Sequence, residues 1–159
     1  MKTLCIIRHA KTEEIQQGQL DFNRVLQTRG KNDAEEATRK LKKNKLHPNA
    51  IVCSPAVRAL ETAKIIAKSL DFPFNKIEQN SLIYNASFQT LLKLVNQLND
   101  RYDVVFLIGH NPGLTLLCNY LGANLSHLPT SGIVEMVFEN QNWIDLGMES
   151  GREKYFWSP

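Results

Sequence analysis

Four short runs along the chain are apolar almost without interruption: Thr3 to Ile7, Ala50 to Cys53, Val104 to Ile108 and Ile133 to Phe138. A strand with one face in water alternates apolar and polar residues, so runs of this kind predict strands covered on both faces. Between them the pattern changes to a helical period. From Thr28, a candidate cap, apolar positions fall at Ala34, Ala37 and Leu41, and the stretch ends in basic residues before His47-Pro48. Ser54-Pro55 predicts an N-cap with Pro at the first helical position, followed by Val57, Leu60, Ala63, Ile66 and Ala67. Asn85 or Ser87 starts a third helix through Leu91, Leu94, Val95 and Leu98, and Asn111-Pro112 repeats the cap-plus-Pro signal before Leu114, Leu117 and Leu121. Asn140-Gln141-Asn142 is turn-like and predicts that Val134 to Phe138 pairs with Asn142-Trp143-Ile144 as an antiparallel hairpin.

The resulting order is strand, helix, strand, helix, helix, strand, helix, strand. Such alternation predicts an α/β domain, a three-layer α/β/α sandwich with a mainly parallel central sheet. No linker, internal repeat or low-complexity tract breaks the chain, so residues 1–159 are expected to form a single domain.

Composition and charge narrow the function classes. A chain that is 43% hydrophobic and 22% charged is an ordinary globular protein, neither disordered nor fibrous. The net charge of +3 is spread along the chain and mixed with Asp and Glu. The densest basic stretch, Arg39 to Lys45, suits the negative end of a helix dipole, so no nucleic-acid partner is expected. Cys5, Cys53 and Cys118 each sit in apolar surroundings and lack any Cys-x-x-Cys spacing, which predicts reduced, buried thiols. The apolar segment after Lys2 is too short for a signal peptide or a membrane span, so a cytoplasmic location without membrane attachment is expected.

Chemistry gathers where three of the strands end. The first runs into Arg8-His9-Ala10-Lys11-Thr12, the second into Ser54-Pro55-Ala56-Val57-Arg58, and the third into Gly109-His110-Asn111-Pro112-Gly113. In open α/β sheets ligands bind at the carboxyl ends of strands, so two Arg, two His and two helix N-termini are expected to converge. Guanidinium forks and unpaired helix N–H groups describe an anion site, and an imidazole beside them is a possible nucleophile for phosphoryl transfer. A zinc site built on His9 and His110 is the competing reading. It lacks supporting spacing, and the flanking Arg side chains oppose a cation. Neither a Gly-x-x-x-x-Gly-Lys-Ser/Thr nor a Gly-x-Gly-x-x-Gly run is present, and His47 and His127 carry no role.

These residues resemble the histidine phosphatase superfamily, which includes the cofactor-dependent phosphoglycerate mutases. Arg8-His9-Ala10 resembles the family's Arg-His-Gly, Ser54 through Ala63 its second block and Gly109-His110 its third. The Asp21-x-x-Arg24-x-Leu26 and Arg29-Gly30 pattern is most similar to the SixA-type phosphohistidine phosphatases. The resemblance implies a phosphoglycerate mutase-like fold and a metal-independent, cofactor-free phosphohydrolase. His9 would be the nucleophile, and Arg8, Arg58 and a protonated His110 would hold the phosphoryl oxygens, with Thr12 also touching phosphate. Cationic neighbours would keep His9 neutral.

Three departures from the family pattern bear on the substrate. Ala10 stands where Gly is commoner. The segment Leu82 to Ser87 lacks the carboxylate that serves mutase-like relatives as acid, leaving Glu13, Asp21 and Glu61 as candidates. The span between Ala63 and His110 is too short for an enclosing lid. Phosphohistidine leaves with its nitrogen already protonated, so a phosphohistidine-bearing protein domain is the expected partner. A small phosphorylated metabolite is the alternative substrate, and a non-catalytic phosphate-binding module the alternative function.

Overall fold

The computed structural model describes residues 1–139 and 141–159. In chain order its elements are β1 (Lys2–Arg8), α1 (Thr28–Lys43), β2 (Ala50–Cys53), α2 (Val57–Ser69), β3 (Ile77–Gln79), α3 (Phe88–Asn96), β4 (Val104–Gly109), α4 (Gly113–Leu121), β5 (Ile133–Phe138) and β6 (Arg152–Trp157). The strands form one sheet in the order β3-β2-β4-β1-β5-β6. Strands β3, β2, β4 and β1 run parallel, whereas β5 is antiparallel to β1 and β6 to β5.

The apolar runs are explained by helices on both faces of the sheet. Successive strand residues point to opposite sides. Leu4, Ile6, Val52, Val105 and Leu107 pack against Leu91 and Val95 of α3 and Leu114, Leu117 and Leu121 of α4. Cys5, Ile7, Ile51, Cys53, Phe106 and Ile108 pack against Ala37 and Leu41 of α1 and Ala59, Ala63 and Ile66 of α2. Each fully buried Leu, Ile or Phe contributes about 1.5–3 kcal/mol of apolar burial, and the alanines let α2 lie close to the sheet. All three cysteines are free and buried. Among the described residues no helix is long and apolar enough to cross a membrane.

Two edge strands and one pairing differ from the sequence expectation. Strand β3 is short with two exposed residues, and β6 carries Arg152, Glu153 and Lys154 on an exposed edge, so neither shows an apolar run. Strand β5 pairs with β6, not with Asn142-Trp143-Ile144. Trp143 to Asp145 instead form a 3-10 turn closed by a reciprocal Asn142–Asp145 capping box. The turn buries the Trp143 indole, whose N–H donates to the Tyr102 carbonyl at 2.9 Å. Burying that large ring outweighs adding three residues to a sheet edge. The part of the expected turn on Asn140 lies outside the described residues.

Helix starts also shift. Thr28 is the first helical residue of α1 and does not cap it, while Ser87 does cap α3 by accepting the Thr90 N–H. Helix α2 begins at Val57, after Pro55, because the Ser54 hydroxyl accepts the Ala56 N–H and closes a turn first. Helix α4 begins at Gly113, one residue after Pro112.

Candidate active site

Strands β1 and β4 lie side by side, but the helix following β1 covers one face and the helix following β4 the other. The crevice where the chain switches faces opens at their carboxyl ends. Backbone bonds tie the strand ends together there: His9 N donates to Gly109 O and Ser54 N to Ile108 O, both at 3.0 Å. From the other side α1 presses on the loop after β1. A Cβ at Gly30 would lie 2.1 Å from the Lys11 carbonyl oxygen, so only glycine admits this approach. The same carbonyl accepts the Gln27 N–H, and Thr12 bridges to Leu26. Ala10 is fully buried, its methyl packed with Leu26 and Ala34, and its N–H donates to Thr62 Oγ1.

The geometry brings His9, Arg8, Arg58, His110 and Thr12 around one open cleft of ≈ 350 Å³, also lined by Lys11, Arg24, Asn85, Asn111 and Thr130. His9 and His110 lie with ring centroids 5.2 Å apart. His9 Nδ1 sits 2.8 Å from its acceptor, the Ala10 carbonyl, so Nδ1 carries the proton and Nε2 keeps its lone pair. Arg58 Nε donates to that Nε2 at 3.3 Å. His110 Nε2 faces Ser54 Oγ at 2.7 Å. Arg8 is anchored through Nη1 on the Leu128 carbonyl and on His127, while its buried Nε has no partner among the described residues.

Burial is the largest reason that both cleft imidazoles are neutral near pH 7. It lowers His9 to about 3 against the opposing pull of the Ala10 carbonyl, with His110, Arg58 and Arg8 adding repulsion. Burial and then Arg58 lower His110 to about 4, opposed by Asp21. Desolvation thus disfavours a charge on either ring, including His110, for which the resemblance implied a protonated imidazole.

Asp21 proves to be a structural anchor. Its Oδ2 accepts from Arg58 Nη2 at 3.0 Å and from the Tyr84 hydroxyl at 2.8 Å, and its carbonyl accepts from Arg58 Nη1 at 2.8 Å. Partial burial alone would raise its carboxyl, but the bonds from Tyr84 and Arg58 outweigh this and hold it at about 2. Glu61 accepts the Leu26 N–H, and Glu13 is exposed. None of these three carboxylates is among the residues lining the cleft.

Residues 4–82 match the family model of the histidine phosphatase superfamily (branch 1). One solved structure, a protein assigned as the phosphohistidine phosphatase SixA from Agrobacterium tumefaciens, is 26% identical and superposes with a TM-score of 0.81 over 99% of this chain and 98% of its own. The chain belongs to the histidine phosphatase superfamily. Within the superfamily it is SixA-like. The fold is also that of the protein histidine phosphatase SixA complexed with tungstate, at 21% identity and a TM-score of 0.84 over 99% of this chain and 97% of that one. Uncharacterized proteins from two Mycobacterium tuberculosis strains are 28% identical over 152 residues, covering 88% of this chain and 91% of theirs.

Against this superfamily background, Tyr84, Arg24 and Ser54 are the cleft's less legible members. Tyr84 sets its ring edge-on to His110 at 5.5 Å and to Phe22 at 5.3 Å. Arg24 Nη2 donates to Thr12 Oγ1 at 2.6 Å. The Asp21-x-x-Arg24 spacing is a visible signal for one of them, while nothing local marks Tyr84, which follows the edge strand β3 and meets His110 only in the folded chain.

Proposed function

We propose that this histidine phosphatase superfamily member hydrolyses a phosphoryl group through a covalent phosphohistidine on His9, with a phosphohistidine-bearing protein domain as substrate and without a metal ion. The observation that carries this reading is the state of His9: proton fixed on Nδ1 by the Ala10 carbonyl, lone pair on Nε2 facing the cleft beside Arg58. A neutral imidazole oriented in this way is an activated nucleophile.

In the first step Nε2 forms a bond to phosphorus as the bond to the leaving group breaks. Arg8, Arg58 and His110 hold the non-bridging oxygens, and Thr12 adds a hydroxyl at the rim. In the second step water oxygen bonds to phosphorus, the electron pair of the N–P bond returns to His9, and the water's protons leave with the phosphate or neutralise its oxygens. Guanidinium groups supply the charge stabilisation that such a transition state needs most.

The choice of substrate class rests on the proton donor. A poor alkoxide leaving group needs one, and among the described residues no carboxylate lines the cleft. Asp21 is ionised and committed to Arg58 and Tyr84. A phosphohistidine whose other ring nitrogen is protonated departs as a neutral imidazole, the electron pair of the N–P bond staying on the departing nitrogen, and the open cleft admits a phosphoryl group carried on a protein surface.

The test is mass spectrometry of the protein quenched in alkali during incubation with a phosphohistidine-bearing domain and, separately, with an aryl phosphate. A transient phosphoryl adduct mapped to His9, absent in His9→Ala, with faster release from the phosphohistidine donor, is the expected result. Parent-rate hydrolysis by His9→Ala would overturn the mechanism. A faster aryl phosphate reaction would move the substrate to small phosphoesters, and binding of both donors without turnover would leave a phosphate-binding module.

A further inference from the structure

The proton positions of His9 and His127 are set by partners that act in one sense only. The Ala10 carbonyl can only accept from His9, and the Arg8 guanidinium can only donate to His127. His110 is different, because its Nε2 faces a hydroxyl, which can donate or accept.

The rest of the Ser54 environment decides the direction. Ser54 is fully buried at the carboxyl end of β2, and its Oγ already accepts the Ala56 N–H at 3.2 Å. Among the described residues the Ala56 N–H and His110 Nε2 are its two partners. If Nε2 also donated, the hydroxyl hydrogen would be buried without an acceptor, an arrangement that folding disfavours. The Ser54 hydroxyl and His110 Nε2 are both satisfied only when Ser54 O–H donates to Nε2. The neutral ring then carries its proton on Nδ1. That atom is buried and has no partner among the described residues, on a ring that lines the cleft.

We propose that Ser54 is a positioning residue that holds His110 as the neutral Nδ1–H tautomer, so that Nδ1 donates to a phosphoryl oxygen while the ring carries no charge. The inference rests on the phosphatase reading of the cleft and deepens it. Two guanidinium groups and a neutral donor would then receive the phosphoryl group, in place of three cations. The low proton affinity of His110 agrees with this, since burial and Arg58 both oppose an imidazolium. The same hydroxyl also closes the turn before α2, so one side chain ties the tautomer of His110 to the helix that carries Arg58.

Long-range proton–nitrogen correlation spectra of the 15N-labelled protein near neutral pH read the tautomer directly, with His110 identified by its loss in His110→Asn. The expected spectrum has a protonated Nδ1 and a bare Nε2, and the Nδ1–H signal moves when inorganic phosphate is added. Ser54→Ala should lose the tautomer preference and lower kcat at least about tenfold, since a misdirected oxyanion donor is partly a lost one. Ser54→Thr, which keeps the hydroxyl, should restore both. An Nε2–H ring or an imidazolium in the unmodified protein would overturn the inference, as would an Nδ1–H signal indifferent to phosphate. So would Ser54→Ala with the parent tautomer and the parent kcat. The ring spectrum needs no turnover, so an Nδ1–H ring that responds to phosphate in a protein inert toward every phosphorylated donor would sink the phosphatase reading alone.

Discussion

Replacing Asp21 by Asn removes the charge that anchors Arg58 while leaving the side chain's shape. Three bonds depend on the carboxylate: Arg58 Nη2 at 3.0 Å, the Tyr84 hydroxyl at 2.8 Å and, more weakly, Arg24 Nη1 at 3.3 Å. The carboxyl stands at about 2 against an ordinary 3.8. At about 1.4 kcal/mol per pH unit that difference corresponds to about 2.5 kcal/mol in full. The side chain is 42% exposed, however, so solvent screening reduces the contribution to about 1 kcal/mol. Because folding depresses this acid, its contribution is complete above about pH 4 and disappears as the pH falls through about 2.

Asp21→Asn should therefore lower unfolding stability in urea by about 1 kcal/mol near neutral pH, converging with the parent in strong acid. Activity should respond differently in its two parameters. An anion behind Arg58 aims the guanidinium but also repels a dianionic substrate. On an aryl phosphate kcat should fall about tenfold, part of the loss expected for a whole oxyanion donor, while KM stays constant or decreases. An unchanged kcat would refute the reasoning, because Arg58 would then be held by the Asp21 carbonyl alone. A rise in KM at constant kcat would refute it as well, since the carboxylate would then be acting in substrate binding.

Gly30→Ala places a methyl 2.1 Å from the Lys11 carbonyl; the clash should exceed the gain of about 1 kcal/mol in helix propensity and cost about 2 kcal/mol net in urea unfolding, with activity reduced because the same loop carries His9 and Thr12. Thr62→Val keeps the shape but strands the buried Ala10 N–H, so chemical denaturation should show a loss of about 1–3 kcal/mol. Below the ordinary histidine value of 6.5 the unfolded chain gains protons that buried His9 and His110 refuse until about 3 and about 4. Stability is complete above about pH 6.5 and declines as the pH falls toward those values. A His9→Gln, His110→Asn double variant should show a visibly flatter decline in the same scan, and an equal slope would contradict the assignment.

The layered fold was legible in the sequence because strands covered by helices on both faces lose the alternation that exposed strands show. Leu4 and Cys5 are both apolar since each meets a different helix pair. The ends of those strands were legible for a related reason: a polar residue directly after a buried strand has to sit at the mouth of the sheet. Arg8, His9 and His110 announced themselves in that way, and Arg58 followed from the first turn of the helix after β2.

Tertiary structure alone decided what depends on residues far apart in the chain. Strand β6 is half charged and becomes a strand only because β5 offers it an open edge. Trp143 leaves the expected hairpin because a pocket near Tyr102 accepts its ring. Asp21 was one of three candidate acids in the sequence, but its place behind Arg58 and Tyr84 made it an ionised anchor. Ser54 read as a helix cap until the fold brought His110 within 2.7 Å of its hydroxyl. Local sequence determines where a strand or helix can form, because propensity and periodicity act within a few residues. Protonation and orientation are set by burial and by partners across the sheet, and those exist only once the chain has folded.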